Sequence, residues 1–341
     1  MRNKWLLGIL SAALVAAGAC SDAADQEPVV EGTRVEAEDL PAPVCTLTGR
    51  SIPKKVDVER PAVAVKIENS PAARPQSGLE RADLVFEEIV EGGITRFMAI
   101  YHCGSSAKAG PVRSARFDDP KIAIPFTRIL AYSGANSIVE SELNARGIVA
   151  LDEDTAGDAL FRDPPGSFDV HSLFADTDAL RKLKPRLKPP TDKILSFGAI
   201  AGKSSKARSV TMNFTSSNPI EYRWKGGAWK RFEAGTAFLT AAGGQIAVPN
   251  VLVQEVDVNH SDKIRDVAGN PSPDIELVGV GRAFLFRDGR VVKGQWEISK
   301  EGGRPRYTTK KGDRLTFAEG PIWIELVPSD DGEVKGTFSY K

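Results

Sequence analysis

The segment Ala82–His102, ADLVFEEIVEGGITRFMAIYH, decides the fold of the first half of the chain. Two runs rich in β-branched and aromatic residues, the composition typical of strands, flank Gly92 and Gly93. The glycine pair favours a two-residue turn, because both central residues of that turn need a positive φ. The segment therefore predicts an antiparallel hairpin in which Glu88 faces Phe97.

Side chains alternate between the two faces of the predicted hairpin. One face carries Glu87, Glu91 and Arg96, and the arginine lies diagonal to both acids and within side-chain reach. The other face is apolar except for Glu88. Because an unpaired buried carboxylate is strongly unfavourable, we expect Glu88 to contact a cation.

The nearest arginines follow the hairpin in the segment GPVRSAR, which ends at Arg116. If the proline opens a helical turn, Arg113 and Arg116 fall on one side of it and their guanidinium groups converge. Asp118 and Asp119 come directly afterwards. Charge patterning alone favours a structural network in which the arginines satisfy Glu88, since such networks are the common cause of clustered Arg and Glu.

The same arrangement also suits an anionic ligand. Arginine binds carboxylate or phosphate through two parallel hydrogen bonds, so Arg96, Arg113 and Arg116 would together form an anion-binding site. Acids beside such a site could act as a general base or bind a divalent metal, and the candidates are Glu88, Asp118 and Asp119.

Three further candidates lie downstream. Ser133 and Asn136 end a predicted strand before the helical segment SIVESELNAR, where backbone amides suit an anion. The alternative is simple capping of that helix by Ser137 through a Ser-x-x-Glu box. His171 follows a loop with an arginine and several acids that could fold back over the first domain, so it is also a catalytic candidate.

The chain divides into regions of different pattern. Residues 44–188 mix strand and helix patterns and predict an α/β domain with a mixed sheet and flanking helices. Residues 189–207 are rich in Pro, Gly, Ser and Lys and predict a linker. Residues 208–330 contain hairpin patterns around Gly226-Gly227 and Asp288-Gly289, and they predict a mostly antiparallel β domain.

Residues 1–20 have the pattern of a secretory signal: a basic start, a short apolar run and small residues before Cys20. The ending AAGAC resembles the lipobox of bacterial lipoproteins, which implies lipidation of Cys20, with palmitate as one expected acyl group. The alternative is an ordinary secretory signal that contains a cysteine. Residues 21–43 hold seven acids, one arginine and no aromatic residue, and they predict a disordered tether. We therefore expect a lipid-anchored protein on the extracytoplasmic face of the cell membrane.

The cysteine count agrees with an exported protein. If Cys20 carries lipid, Cys45 and Cys103 remain as one pair in an oxidising compartment. We predict that they form a disulfide, which would stabilise the fold by about 4 kcal/mol. The alternative is two separate buried thiols.

Composition limits the functional classes. The chain has 341 residues, of which 41% are hydrophobic, and its 45 basic residues equal its 45 acidic residues. Such a balanced charge argues against nucleic-acid binding. The sequence lacks the motifs Gly-x-Ser-x-Gly, His-Glu-x-x-His and Cys-x-x-Cys, which argues against the easily recognised hydrolases, zinc proteases and thiol-redox proteins. It therefore gives no reason to expect a cofactor or a resident metal.

Several long motifs resemble a known family. The hairpin segment, the following GPVRSARFDD, the upstream LTGR, and VGVGRAFLFRDGRVVKGQW and GPIWIELVP near the C-terminus are similar to the YerB-like bacterial lipoproteins, a family of unknown function. The resemblance covers residues from about 45 to 328 and implies a lipid anchor and two domains, but no established activity. Near DVHSLF the family has His-Asn, whereas this chain has His171 and Ser172.

Three functional hypotheses follow. The first is a non-catalytic binding or assembly module whose arginines recognise an anionic envelope ligand or protein partner. The second is an enzyme acting on phosphorylated or pyrophosphorylated envelope precursors, by analogy with the LytR-CpsA-Psr phosphotransferases, to which the chain is similar only in the order of its elements. The third is a purely structural ion-pair network, with a partner surface on the β domain. The residues alone leave open whether the protein is an enzyme.

Overall fold

The computed structural model describes residues 42–53, 55–191, 194–215, 219–266 and 268–341. The predicted signal peptide 1–20 with its lipidation site Cys20, and all but the last two residues of the predicted tether, lie outside the described residues. No helix in the described ranges is long and apolar enough to cross a membrane.

The first part of the chain alternates short helices with strands. Its strands are β1 Val63–Glu68, β2 Leu84–Ile89, β3 Thr95–Tyr101, β4 Ile129–Ala131, β5 Val149–Leu151, β6 Leu160–Arg162 and β7 Leu173–Ala175. Its helices are α1 Asp119–Ala123, α2 Ser137–Ala145, α3 Glu153–Ala156 and α4 Thr177–Lys182, with short 3-10 turns at Pro71–Ala73, Leu79–Arg81, Glu91–Gly93 and Gly157–Ala159.

The second part consists of strands and turns. Its strands are β8 Ser204–Lys206, β9 Ser209–Asn213, β10 Ile220–Lys225, β11 Ala228–Glu233, β12 Thr236–Ala237, β13 Ala247–Val248, β14 Asn250–Val256, β15 Val258–Arg265, β16 Pro271–Ile275, β17 Gly279–Arg287, β18 Arg290–Ile298, β19 Arg306–Thr309, β20 Ile322–Pro328 and β21 Thr337–Tyr340. The predicted combination of a mixed sheet with flanking helices and mostly antiparallel strands is confirmed.

One mixed sheet contains strands from both parts of the chain. Within the described ranges its order is β19-β18-β17-β14-β20-β2-β3-β1-β4-β5, and β8 pairs with β18. The two parts meet where β20 lies parallel to β2, with Glu87 opposite Glu325. Strand β8, which pairs with β18, lies within the predicted linker 189–207. The predicted domain boundaries remain a prediction, but strands on either side of them belong to the same sheet.

A second sheet, β12-β11-β10-β9-β21 with β13 paired to β11, packs against one face of the mixed sheet. Aromatic rings fill the layer between the two sheets. Trp323 on β20 lies edge-on to Phe97 on β3, with ring centroids 5.3 Å apart, and Trp229 on β11 lies edge-on to Phe286 on β17. Because the opposite face of the mixed sheet carries helix α1 and the loop before it, both faces of β2 and β3 are buried.

The predicted hairpin forms, but its predicted two-residue turn is wrong. The connection is the three-residue turn Glu91–Gly93, in which both glycines have positive φ. Strands β2 and β3 consequently pair with Glu88 opposite Arg96 and Glu87 opposite Phe97. A register change of one residue moves side chains to the other face, so Arg96 shares a face with Glu88 and not with Glu87.

The predicted helix in SIVESELNAR is present, with one change at its start. Helix α2 begins at Ser137, but Asn136 is the capping residue, and its Oδ1 accepts a hydrogen bond from the Val139 amide at 3.0 Å. The predicted Ser-x-x-Glu box at Ser137 is therefore wrong, because the cap lies one residue earlier.

The predicted disulfide between Cys45 and Cys103 is present, and their Cα atoms lie 6.0 Å apart. It joins the first described segment to the residue that follows His102 at the end of β3. The disulfide closes a long loop of the chain that contains the strands with the charged residues. A cross-link that closes a long loop restricts the unfolded chain more than one that closes a short loop.

Candidate anion-binding site

Strands β1, β2 and β3 place four charged side chains on one face of the mixed sheet. Cross-strand pairing aligns Glu88 with Arg96 and Arg96 with Glu68, and Lys66 lies two residues before Glu68 on β1. All four are at most 4% exposed. Buried charges require partners, so the contacts of these residues define the site.

The cation that satisfies Glu88 is Lys66, and the predicted contact of Glu88 with Arg113 or Arg116 is wrong. Nζ of Lys66 contacts Oε1 of Glu88 and lies 2.6 Å from Oδ1 of Asp119. Burial lowers the pKa of Lys66, while the neighbouring Asp119 opposes that change. We call Lys66, Glu88 and Asp119 the lysine triad. The lysine comes from β1. The sequence pattern does not specify that β1 pairs with β3.

Arg113 lies in extended backbone, so the predicted helical turn is wrong. A cis peptide bond precedes Pro111, and the Arg113 amide donates to the carbonyl of Lys66 at 2.9 Å, which places the segment beside the C-terminal end of β1. Its Nε donates to Oε2 of Glu68 at 2.7 Å. The Arg113 carbonyl in turn accepts a hydrogen bond from the Ser133 amide at 3.0 Å.

Arg116 reaches a different acid from the same side. Its Nε donates to Oε2 of Glu91 at 2.6 Å, and the other carboxylate oxygen of Glu91 accepts from the hydroxyl of Ser272 on β16. The Arg116 amide donates to Oδ2 of Asp119 at 2.8 Å. These bonds account for the three-residue turn, because Glu91 faces Arg116 instead of pairing across the hairpin.

Arg96 lies between the other two arginines. Its Nη2 lies 3.6 Å from Oε2 of Glu68, and its Nη1 donates to the carbonyl of Ser114 at 3.3 Å. Burial, together with the positive charges of Arg116 and Arg113, lowers the pKa of Arg96 to about 10. Arg96 is therefore close enough to Arg116 and Arg113 to be repelled by both. We call Arg96, Arg113, Arg116 and their acids Glu68 and Glu91 the arginine cluster.

Both acids of the arginine cluster are held ionised. Burial disfavours the charge of Glu68, but Arg96 and Arg113 outweigh it and lower the pKa of Glu68. Burial acts on Glu91 in the same way, and Arg116 lowers the pKa of Glu91. The cluster thus pairs three arginines with two acids, and it adjoins the lysine triad, in which one lysine lies between two acids.

Some arginine donors in the cluster are unused. Nη1 and Nη2 of Arg113, and Nη2 of Arg116, have no hydrogen-bond partner within the part of the chain that the structure describes. The Arg113 side chain is 25% exposed and the Arg116 side chain 19%. These donors can reach a molecule in solvent, whereas the lysine triad is sealed from it.

Asp118 and Asp119 point to different neighbours. Asp119 belongs to the lysine triad, but Oδ1 of Asp118 lies 2.7 Å from Nζ of Lys121, and its Oδ2 accepts from the Ile275 amide at 3.0 Å. Burial raises the pKa of Asp118 to about 6 despite the attraction of Lys121. Asp118 thus ties α1 to β16 and does not contact the arginines.

The remaining candidates have local partners. The contacts of His171 lie in its own loop, where its amide donates to Oδ1 of Asp169 at 2.8 Å and its Nδ1 lies 3.8 Å from the same atom. Asn136 is occupied in capping α2. Ser133 joins the Arg113 segment through its backbone. Their proposed roles in ligand binding or catalysis remain predictions.

Glu87 belongs to a second charged cluster, between the two sheets, that the sequence analysis missed. Its Oε2 lies 2.8 Å from Nη1 of Arg231, a fully buried arginine on β11. The predicted placement of Glu87 beside Arg96 is therefore wrong. Arg231 also lies 3.2 Å from Glu233 and 3.5 Å from Glu325, whose Oε1 accepts from the hydroxyl of Tyr222 at 2.6 Å.

Burial and the charge of Glu87 raise the pKa of Glu325 well above its usual value. Aromatic rings surround the guanidinium, with Arg231 4.8 Å from the ring centroid of Phe238 and 5.1 Å from that of Trp323. Alternation along AWKRFE, which puts Arg231 and Glu233 on the same face as Trp229, is the signal that could have revealed it.

Two family models match the chain. Residues 47–189 match the N-terminal domain, and residues 210–324 the C-terminal domain, of a protein of unknown function (DUF3048). A curated protein of Bacillus subtilis strain 168, named "Putative lipoprotein YerB", is 30% identical over 305 residues, which cover 86% of this chain and 88% of that protein.

The chain belongs to the DUF3048 family. A crystal structure of the YerB protein from Bacillus subtilis is also similar, with a TM-score of 0.71 and 28% identity, over 87% of this chain and 99% of that one. The resemblance stated from sequence motifs is thereby confirmed. The relative's name, "Putative lipoprotein YerB", agrees with an extracytoplasmic, membrane-associated protein.

Proposed function

We propose that this protein is a non-catalytic binding module of the cell envelope, and that its arginine cluster binds an anionic ligand. The observation that carries the proposal is the set of unused donors on Arg113 and Arg116, which remain partly exposed although Nε of each is fixed by an acid. Arginine forks held in this way are prepared for carboxylate or phosphate, because little side-chain freedom is lost on binding.

Electrostatics support the same proposal. The repulsion by Arg116 and Arg113 that helps to lower the pKa of Arg96 would be relieved by an anion bound to those two arginines. A diphosphate or a pair of carboxylates suits these donors, since Arg113 offers Nη1 and Nη2 as a fork for two oxygens and Arg116 offers Nη2. We expect such groups on envelope lipids, on glycan polymers or on a partner protein.

The geometry favours a binding module over an enzyme. Glu88 and Asp119, two of the proposed bases or metal ligands, are at most 1% exposed and contact Lys66, so a cation already occupies the position between them. Asp118 lies against Lys121 and the Ile275 amide. A general base must reach the proton that it removes. None of these three acids has a side-chain oxygen that both lies beside the arginine cluster and is open to solvent.

The proposed location follows from the sequence and from the described lipoprotein relative. We infer that Cys20 carries the lipid and that residues 21–43 hold the folded part away from the membrane surface. Each acyl methylene buried in the bilayer contributes about 0.8 kcal/mol, so several chains on one cysteine give lasting attachment.

Isothermal titration of the purified chain with inorganic pyrophosphate tests the binding site, with inorganic phosphate for comparison. Arg113→Gln removes two unused donors, and loss of hydrogen bonds to a charged group costs about 1.5–3 kcal/mol, which weakens binding about 10- to 150-fold. Arg223→Gln is a matched control, because Arg223 is an exposed arginine paired with Glu221 on β10.

We expect Arg113→Gln to weaken pyrophosphate binding and, because its Nε bond to the buried Glu68 is also lost, to melt at a lower temperature than Arg223→Gln while staying folded at the temperature of the titration. Absence of measurable binding to the wild-type chain, together with a large fall in the melting temperature of Arg113→Gln, would support the purely structural network instead. Release of phosphate from pyrophosphate in the presence of magnesium, lost in Glu88→Gln, would support the enzyme.

A further inference from the structure

Two metal-ligating side chains lie against the Cys45–Cys103 disulfide, away from the arginine cluster. Sγ of Cys45, Sγ of Cys103 and Nδ1 of His102 all lie within 4.8 Å of one another. Oδ1 of Asp83 lies 3.9 Å from Sγ of Cys45. Two sulfurs, one imidazole nitrogen and one carboxylate oxygen are the donor types that proteins use to bind Zn²⁺.

The imidazole is placed at a distance that suits a tetrahedral metal. Nδ1 of His102 lies 3.4 Å from Sγ of Cys103 and 3.9 Å from Sγ of Cys45. With Zn–S bonds of about 2.3 Å and Zn–N bonds of about 2.0 Å, sulfur and nitrogen ligands of one tetrahedral zinc are about 3.5 Å apart. The existing S···N distances lie on either side of that value. The two sulfurs must separate to about 3.8 Å after reduction, which side-chain rotation can supply because the Cα atoms of the cysteines lie 6.0 Å apart.

His102 is held in the tautomer that a metal requires at Nδ1. Nε2 lies 2.9 Å from the carbonyl oxygen of Val58, and because a carbonyl only accepts hydrogen bonds, Nε2 carries the proton. Nδ1 therefore presents its lone pair to the sulfur atoms. Metal-binding histidines generally donate their other ring N–H in this way.

The carboxylate beside the sulfurs is also fixed. Oδ2 of Asp83 accepts hydrogen bonds from the His102 amide at 2.6 Å and the Gly104 amide at 3.0 Å. These bonds tie Asp83 to the backbone around the second cysteine. The four potential ligands thus belong to one small, hydrogen-bonded unit.

We propose that reduction of the Cys45–Cys103 disulfide creates a Zn²⁺ site formed by Cys45, Cys103 and His102, with Asp83 or water as the fourth ligand. A dithiol reductant supplies two electrons and two protons: its thiols join as a disulfide, the Cys45–Cys103 bond breaks and two thiols form. Zn²⁺ then displaces the two thiol protons as two Zn–S bonds and one Zn–N bond form. Cys103 is the less buried residue of the pair, so we expect the reductant to attack its sulfur.

Metal occupancy would consequently report the thiol redox state of the compartment. The oxidised chain has no thiolate to offer, and thiolates are the stronger zinc ligands of the set. The proposal is independent of the anion-binding function, because none of its four ligands belongs to the arginine cluster.

Titration with Co²⁺ tests the site directly, because cobalt bound by thiolates in a tetrahedral site absorbs in the near ultraviolet and the visible range. The purified chain is reduced with a phosphine, freed of reductant and titrated under argon beside the oxidised chain. We expect one equivalent of Co²⁺ to bind to the reduced chain, with thiolate absorption that Zn²⁺ abolishes, and none to bind to the oxidised chain.

Loss of a residue that only hydrogen-bonds to a metal ligand typically weakens metal binding about 10- to 100-fold. His102 is itself a proposed ligand, so His102→Gln should weaken Co²⁺ binding by more than that. The control is His260→Gln, since His260 is an exposed histidine on β15 paired with Glu333. Circular dichroism follows folding throughout. If the reduced chain unfolds without metal, Zn²⁺ present during reduction should keep it folded.

The proposal is overturned if the folded, reduced chain shows no thiolate absorption with Co²⁺, or if His102→Gln binds Co²⁺ as tightly as His260→Gln. It is equally overturned if the reduced chain unfolds whether or not Zn²⁺ is present.

Discussion

Replacement of Lys66 by methionine should destabilise this protein strongly. Lys66 is fully buried and is the cation beside two acids, Glu88 and Asp119, that are at most 1% exposed. Methionine retains most of the apolar stem, so the variant loses the charge with little change in packing. Glu88 and Asp119 would then be buried without the cation that compensates them.

The expected loss follows from this burial. Removal of one partner from a buried ion pair costs about 3–5 kcal/mol, because it leaves an uncompensated charge in the interior. For a chain of this size, an unfolding entropy of about 2.1 cal/mol/K per residue means that each kcal/mol lowers the melting temperature by about 1.5 °C, so we expect a fall of about 4–8 °C. The loss is a large fraction of the roughly 5–15 kcal/mol that stabilises a typical protein.

Urea unfolding followed by tryptophan fluorescence measures this loss. The double variant Lys66→Met/Glu88→Gln should recover part of the stability, since one of the two stranded charges is removed. Lys108→Met is the matched control, because the pair of Lys108 with Asp163 is more than 40% exposed on both sides, and such pairs contribute at most about 1 kcal/mol. A loss of less than about 1 kcal/mol for Lys66→Met, equal to that of the control, would refute the assignment of Lys66 as the essential buried cation.

Two further predictions concern pH and the membrane. The pKa of Asp118 is raised to about 6 in the folded state, so its protonated form favours folding, and this contribution is complete below about pH 4 and is lost as the pH rises through about 6. Asp118→Asn should therefore reduce the difference in unfolding free energy between pH 4 and pH 7, by up to about 3 kcal/mol, and an unchanged difference in urea titrations would contradict the assignment. Cys20→Ala should abolish labelling with a clickable palmitate analogue and move the protein from the membrane fraction to the soluble extracytoplasmic fraction, whereas continued labelling of the variant would place the lipid elsewhere.

The sequence predicted those features that depend on nearby residues or on covalent arithmetic. The hairpin around Gly92-Gly93 and the helix after Asn136 follow from alternation and turn chemistry, which act over a few residues. The Cys45–Cys103 pairing followed from the number of cysteines and the expected compartment. The family followed from long motifs on both sides of the chain.

Partner choice among the charged residues was less predictable. Arg113 and Arg116 approach Arg96 as expected, but in extended backbone, and they bind Glu68 and Glu91 in place of Glu88. One extra residue in the turn shifts the register of the hairpin, so the side chains of one strand exchange faces relative to the other. Propensity scales do not determine the length of a turn to within one residue.

By itself, the sequence determined the mixed sheet with flanking helices, the antiparallel strands, the disulfide and the family, because periodicity, turn residues and cysteine number are local or countable properties. Only the tertiary structure decided that Lys66 satisfies Glu88 and that Arg231 satisfies Glu87. These partners lie on strands far apart in the chain, and a buried charge takes whichever opposite charge the packing of strands brings within a few ångströms.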